Sequence, residues 1–314
     1  MSKTGMVHWM IALLLLVWPL WAQVGTCPAK QVVNTLLVDV RSDGETVKDL
    51  GASDFLLNGK GVTAEPLAVT AEAPMDLLIL IEPHNRGDKL EGAVPLLMTS
   101  LDAEDRIAVW HYGTGVDKKT AWESDFAKVR DALLEAGRGV QLQTVRPLNA
   151  VVEALRAFPE VRDEKRKRVI LLIGDEQDWS TPVRWEAVVA NLKKQQVTLS
   201  VLADGPRDRV MGKFLPKINV GPGNVGEPRV GEAQGRFGAQ NLARVAAESG
   251  GDALATNGIW SLEEIVGRLK ERYLVAYCAE KGKAKSAPAV ALSPAALAKH
   301  PAAQVKLYST GRGK

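Results

Sequence analysis

Cysteine is scarce: the 314 residues contain two, Cys27 and Cys278. So few exclude a disulfide-dense scaffold and a thiolate cage for a metal. Three readings of the pair stay open. They form a disulfide clamping the start of the mature chain to a late strand, they stay free thiols, or Cys27 carries a lipid, since Val24-Gly25-Thr26-Cys27 loosely resembles a lipidation box. Aromatic residues make up only 5% of the chain, and the charges nearly cancel at +3. That balance argues against nucleic acid or an anionic membrane surface as partner. A Gly-x-Ser-x-Gly elbow is missing, so serine-hydrolase chemistry has no support. No internal repeat is visible, and past the first 22 residues no apolar run reaches spanning length.

What is present is a core. Hydrophobic residues are 46% of the sequence, which excludes a disordered chain, and the length suits one large domain with a smaller one. Residues 1–22 read as a signal peptide. Lys3 supplies the positive charge, Met6 to Trp21 is apolar apart from His8, and Leu20-Trp21-Ala22 offers a small residue for cleavage. The alternative is a retained anchor. Export to the periplasm or the medium is the expectation.

Residues 31–72 carry short β-rich runs separated by the turn signals Arg41-Ser42-Asp43-Gly44 and Asn58-Gly59-Lys60-Gly61, a small antiparallel β module. The alternating run Gln304-Val305-Lys306-Leu307-Tyr308, within 303–309, is expected to join it as an edge strand. From 74 to 278 strands and helices alternate. Met75-Asp76-Leu77-Leu78-Ile79-Leu80-Ile81 is a nearly unbroken apolar run between Pro74 and Pro83, the pattern of a strand buried on both faces. Further strands are expected at 106–112, 168–173, 197–203, 253–256 and 273–278. Helices are expected at 89–101, 125–136, 148–158, 182–194, 239–249 and 261–270. Such alternation predicts an α/β fold, a doubly wound and mostly parallel sheet with helices on both faces. Residues 205–238, with eight Gly and four Pro, read as an insertion, and 279–314 as a C-terminal tail.

The pieces resemble, in order, a von Willebrand factor A-type domain, and in particular a VWFA-related family of exported proteins described from acidobacteria. Val47 to Lys60, with Asp54-Phe55 and Asn58-Gly59-Lys60, is similar to that family's opening segment. Met75–Ile81 resembles its first sheet strand. Arg168-Val169-Ile170-Leu171-Leu172-Ile173-Gly174-Asp175-Glu176-Gln177-Asp178 resembles a later strand and loop, and Leu269 to Tyr277 its ending. The resemblance implies ligand binding rather than catalysis, often through a metal-ion-dependent adhesion site. Such a site takes an Asp-x-Ser-x-Ser loop, a Thr and a further Asp, because a hard divalent cation wants about six oxygens.

Here the matching loop is Glu82-Pro83-His84-Asn85-Arg86: Glu82 replaces the Asp, His84 the first Ser and Arg86 the second. The Thr position falls on Thr144 or Arg146, Asp175 matches the last carboxylate, and Asp178 lies close by. A guanidinium at Arg86, paired with Asp175 or Glu82, stands where the cation would sit. The resulting expectation is a non-enzymatic interaction domain with a degenerate, metal-free site and no cofactor. It presents loops 82–88, 113–124, 144–149 and 175–181 to a protein partner. The alternative keeps Mg or Ca on Glu82, Thr144 and Asp175 and binds an acidic ligand through it. A third reading is an envelope-associated hydrolase. Gly221-Pro222-Gly223-Asn224-Val225-Gly226 reads as loop, because Glu227-Pro228 starts no helix. Arg86-Gly87-Asp88 is discounted as a chance tripeptide, and His111 reads as a core or rim residue.

Overall fold

Seven consecutive buried residues, Met75–Ile81, form the strand at the middle of the larger sheet. The computed structural model describes residues 26–43, 45–83, 87–139, 145–160, 163–175, 177–178, 180–203, 240–255, 260–280 and 288–308. The chain opens with β1 (Gln31–Ser42), β2 (Glu45–Thr46), β3 (Phe55–Asn58) and β4 (Ala68–Thr70). Alternation follows: β5 (Met75–Ile81), α1 (Gly87–Thr99), β6 (Arg106–Tyr112), β7 (Val116–Lys118), α2 (Phe126–Gly137), α3 (Pro147–Leu155), β8 (Lys167–Gly174) and β9 (Gln177–Asp178). It continues through α4 (Trp185–Gln195), β10 (Thr198–Ala203), β11 (Gln240–Asn241), α5 (Leu242–Ser249), β12 (Ala253–Ala255) and α6 (Trp260–Lys270). The chain closes with β13 (Tyr273–Glu280), β14 (Ala289–Leu292), α7 (Pro294–Lys299) and β15 (Gln304–Tyr308).

The larger sheet has six strands in the order β12-β10-β8-β5-β6-β7. All pairs are parallel except β6·β7. The chain winds outward from β5 to β7, then returns to β8 on the other side of β5 and winds out to β12. Strand order thus reverses between β5 and β8, as the alternation predicts for a doubly wound sheet. Residues alternate across β5, so Leu77, Ile79 and Ile81 pack on α1, α2 and α6, while Leu78 and Leu80 pack on α3, α4 and α5. The one ionised side chain on β5 is neutralised in place. Buried Asp76 accepts from Arg106 Nε and Nη2 at 2.9 and 2.7 Å and from Arg166 Nε at 2.7 Å. The two arginines satisfy a carboxylate that is only 2% exposed.

The second sheet is antiparallel, in the order β15-β1-β13-β4, with β2 folded back on β1. Its apolar face packs on β3, β14 and α7 through Phe55, Leu57, Leu292 and Ala296. The strand–helix rhythm puts Tyr273–Cys278 in the parallel sheet; that placement is corrected here. Tyr273–Glu280 is the central strand of the small sheet, matched along eight residues of β1. Its side chains suit either sheet, because each requires a strand buried on both sides. β15 lies against β1 in the same sheet. A second correction concerns α4. It begins at Trp185 rather than Pro182, because the Asp178 carboxylate already holds the amides of Ser180 and Thr181 in a turn.

One covalent bond staples the small sheet, and one buried cation joins it to the larger module. Cys27 and Cys278 form a disulfide with Cα atoms 5.5 Å apart, tying the start of the described chain to β13. The Cys27 sulfur is thereby used, so a lipid on it and the free-thiol reading are both set aside. Buried Lys167 lies at the seam. Its ammonium donates to the carbonyls of Ala71 at 2.7 Å, Lys270 at 2.6 Å and Leu269 at 3.5 Å. The last two are the open carbonyls at the end of α6, where a cation also meets the negative end of the helix dipole. Burial, with Lys270 and Arg272 nearby, pushes its pKa down to about 7.

The disulfide closes a ring with a sequence separation of 251, worth about 5 kcal/mol of unfolded-chain entropy. Cys278→Ser should therefore lower the unfolding free energy by about 3 kcal/mol or more in urea melts, and reductant should shift only the parent. Lys167 sets a pH dependence. Since folding depresses its pKa below the ordinary 10.5, the unfolded chain holds that proton more tightly. Stability should rise as pH climbs from about 7 toward 10.5. Urea midpoints across that range should rise for the parent and flatten in Lys167→Met.

Candidate functional site

Where strand order reverses, the carboxyl ends of β5 and β8 open a crevice, and three side-chain positions converge there. Glu82 follows β5 directly. Its amide donates to the Ile173 carbonyl at 3.0 Å, extending the ladder by one residue, and its side chain is wholly buried. Tyr112 ends β6 and points its hydroxyl across toward the same carbonyl, at 3.5 Å. Gly174 ends β8. A Cβ on it would stand 1.9 Å from the Tyr112 hydroxyl oxygen and 3.2 Å from Glu82 Oε2. The glycine is therefore required by close approach: the phenol fills the space a side chain would take. Asp175 follows, half-buried.

Asp178 has a different task. It is fully buried, its Oδ2 accepts from the Leu148 amide at 2.8 Å, and its Oδ1 accepts from the amides of Ser180 at 3.1 Å and Thr181 at 2.9 Å. Leu148 is in the first turn of α3, whose N-cap residue, Arg146, makes no side-chain cap. Asp178 thus caps a helix from another loop, supplying the acceptor that local sequence lacks. Burial pushes its pKa up, against the pull of the backbone amides it accepts from. The Ser180 hydroxyl donates to the Val145 carbonyl, and the Arg146 amide donates to the Gly113 carbonyl at 2.8 Å. Loops from three strands are so locked into one edge. The Nε of half-buried Arg146 is itself buried with no hydrogen-bond partner among the described residues.

Of the residues picked from sequence, the structure brings Glu82 and Asp175 to the ends of adjacent strands and turns Asp178 into a brace. His84, Asn85, Arg86 and Thr144 lie outside the described residues, as does the 205–238 insertion. Expectations for them have no structural counterpart here. His111 is buried with its Nε2 2.9 Å from the Ala132 carbonyl, and burial lowers its pKa. Trp185 stacks under the Arg244 guanidinium at 4.3 Å.

Among the described residues, the side-chain oxygens at the ends of β5, β6 and β8 are the Glu82 and Asp175 carboxylates and the Tyr112 phenol, fewer than a hard divalent cation takes. Both oxygens of Asp178 are spent on amides. Among the described residues no group of three or more His, Cys, Asp or Glu is placed to hold a metal.

Sequence reading missed Tyr112 and Gly174. The available signal was a glycine at 174 where the resembled family has a Ser, with a tyrosine ending the neighbouring apolar strand.

No family model matches the chain, and no curated protein does. Solved structures do. The chain is similar to the conserved hypothetical protein BatB from Bacteroides thetaiotaomicron at 16% identity, over 63% of this chain and 98% of that one, with a TM-score of 0.42. It is similar to the SpRpn10 VWA domain at 12% identity, over 44% and 79% of the two chains, with a TM-score of 0.34. It is also similar to proximal thread matrix protein 1 from the mussel byssus, in a form described with a zinc-occupied MIDAS motif. There the identity is 12%, the coverage 68% and 49%, and the TM-score 0.43. At these values the fold assignment rests on the strand order itself.

Gly174→Ala should cost about 2 kcal/mol or more, because the new methyl meets the phenol and the core has no room to yield. Tyr112→Phe in the same chain should recover part of that loss. A double-mutant cycle from chemical denaturation checks the coupling.

Proposed function

We propose that this chain is an exported, non-enzymatic von Willebrand factor A-type domain that docks a protein partner on the carboxyl edge of its parallel sheet, without a metal. One observation carries the reading. Asp178 spends its carboxylate on three backbone amides drawn from two loops, so the edge is braced as a rigid surface. Rigid presentation of loops serves recognition, since a partner then binds without the entropy cost of ordering them. A catalytic carboxylate, by contrast, must keep an oxygen free for substrate.

Two further observations support parts of it. The Cys27–Cys278 disulfide suits an oxidising compartment, consistent with the signal read in residues 1–22. Glu82 is buried beneath the Tyr112 hydroxyl, which leaves a divalent ion little direct access to its oxygens. Among the described residues no helix is long and apolar enough to cross a membrane.

Calorimetric titration of the mature chain with Mg²⁺, Mn²⁺ and Ca²⁺ should show no saturable micromolar heat. Envelope proteins from the native host captured on the immobilised chain should stay bound when a chelator is added. Saturable heat that disappears in Glu82→Ala, or release of the partner by chelation, would overturn the metal-free reading in favour of Glu82, Thr144 and Asp175 as ligands.

A further inference from the structure

The far edge of the larger sheet carries a second surface. On the face packed by α3, α4 and α5, the helix layer ends at α3, and β6 and β7 run out beyond it. Trp110 and Ala108 of β6 are left beside a groove of about 400 Å³, closed further by Lys118, Thr120, Trp122 and Ala157. That volume lies within the range of roughly 300–1,000 Å³ usual for ligand sites. The walls are fixed. Trp122 donates its indole N–H to the Ala157 carbonyl at 3.0 Å and packs on Phe158 with ring centres 5.1 Å apart. Thr120 is fixed too, its hydroxyl oxygen accepting from the Val109 amide at 2.9 Å.

The two lysines of this rim are partnered differently. Lys119 is held by Asp117 at 2.7 Å and Glu135 at 2.8 Å. Lys118 is exposed, lies over the Trp110 ring at 4.6 Å, and has no ion pair among the described residues. Lys118 is the direct cross-strand neighbour of Trp110, so both stand on the groove face. The strand carrying Lys118 is the last of the sheet, and among the described residues no strand pairs with its outer side. An unpaired edge is a template for another strand. The opposite edge, β12, offers no equivalent: its neighbour Asp252 is already bonded to Arg272.

We infer that β7 accepts an extended segment of an acidic partner protein as an added strand. The segment places a carboxylate opposite Lys118. Two positions along, on the same face, it lays an apolar or aromatic side chain into the groove by Trp122. The period of two follows from strand geometry, and the acid follows from Lys118, a rim cation with no ion pair among the described residues. This surface shares the 113–124 segment with the loops expected from sequence but uses the outer side of β7, and its test reads peptide binding rather than metal or chelator response, so either reading can fail alone.

The test uses fluorescence anisotropy of labelled seven-residue peptides, rich in Thr and Val, on the disulfide-bonded chain. One peptide carries Glu with Phe two positions away; a second has Lys in place of the Glu; a third shifts the Phe by one position. The first should bind saturably and weaken at higher salt, and the other two should bind at least tenfold more weakly. Lys118→Glu, on an exposed side chain, should keep the parent's melting curve, lose the first peptide tenfold or more, and gain the second. No saturable binding up to millimolar peptide would overturn the inference. So would affinity indifferent to Lys118→Glu or to the Phe position. Saturable binding of phenylacetate with no peptide binding would overturn it too, making the groove a small-molecule pocket.

Discussion

Everything in the larger module is arranged around a strand that has no outside. Met75–Ile81 is buried on both faces, so each face needs its own helix layer, and the chain must wind out, return and wind out again to supply them. That double burial forces the reversal of strand order beside β5. It also puts the candidate site where β5 ends, because loops cannot run through a packed core and must gather at the strand tips. The two ends of the strand are handled oppositely. At the amino end Asp76 is held between two guanidinium groups. At the carboxyl end Glu82 lies under a phenol and against a glycine.

Polar groups carry the joints that burial alone would leave loose. Lys167 caps the end of α6 and holds Ala71 of the small module at the same time. Arg272, with no exposed surface, fixes the turn at Gly250 and the Asp252 carboxylate. Asp178 does the same for the carboxyl edge. Each is a long or ionic side chain placed where two elements meet, since apolar contact is non-directional and cannot set the register between them. The disulfide adds a covalent tie inside the small sheet, between the segment leading into β1 and β13.

The family resemblance raises the expectation of a metal-dependent adhesion edge, and the folded chain shows what two positions beside it do. With a glycine at 174, the space above β8 is taken by Tyr112. With Asp178 committed to amides, an acid that looks like a ligand in the sequence becomes a brace. Motif position alone could not separate those roles, because a carboxylate that binds a cation and one that binds three N–H groups look the same in a one-dimensional string.

The sequence by itself determined the doubly wound parallel sheet, the buried run of β5, most helix positions and the antiparallel nature of residues 31–72. These follow from local period and from turn chemistry, which act over a few residues. Only tertiary structure decided that Tyr273–Glu280 belongs to the small sheet, that Cys27 reaches Cys278, that Tyr112 shares a site with Glu82, and that Lys118, beside two tryptophans, has no ion pair among the described residues. All four depend on residues far apart in the chain meeting in space. A strand buried on both faces reads the same whichever neighbour it finds, so nothing local can choose for it.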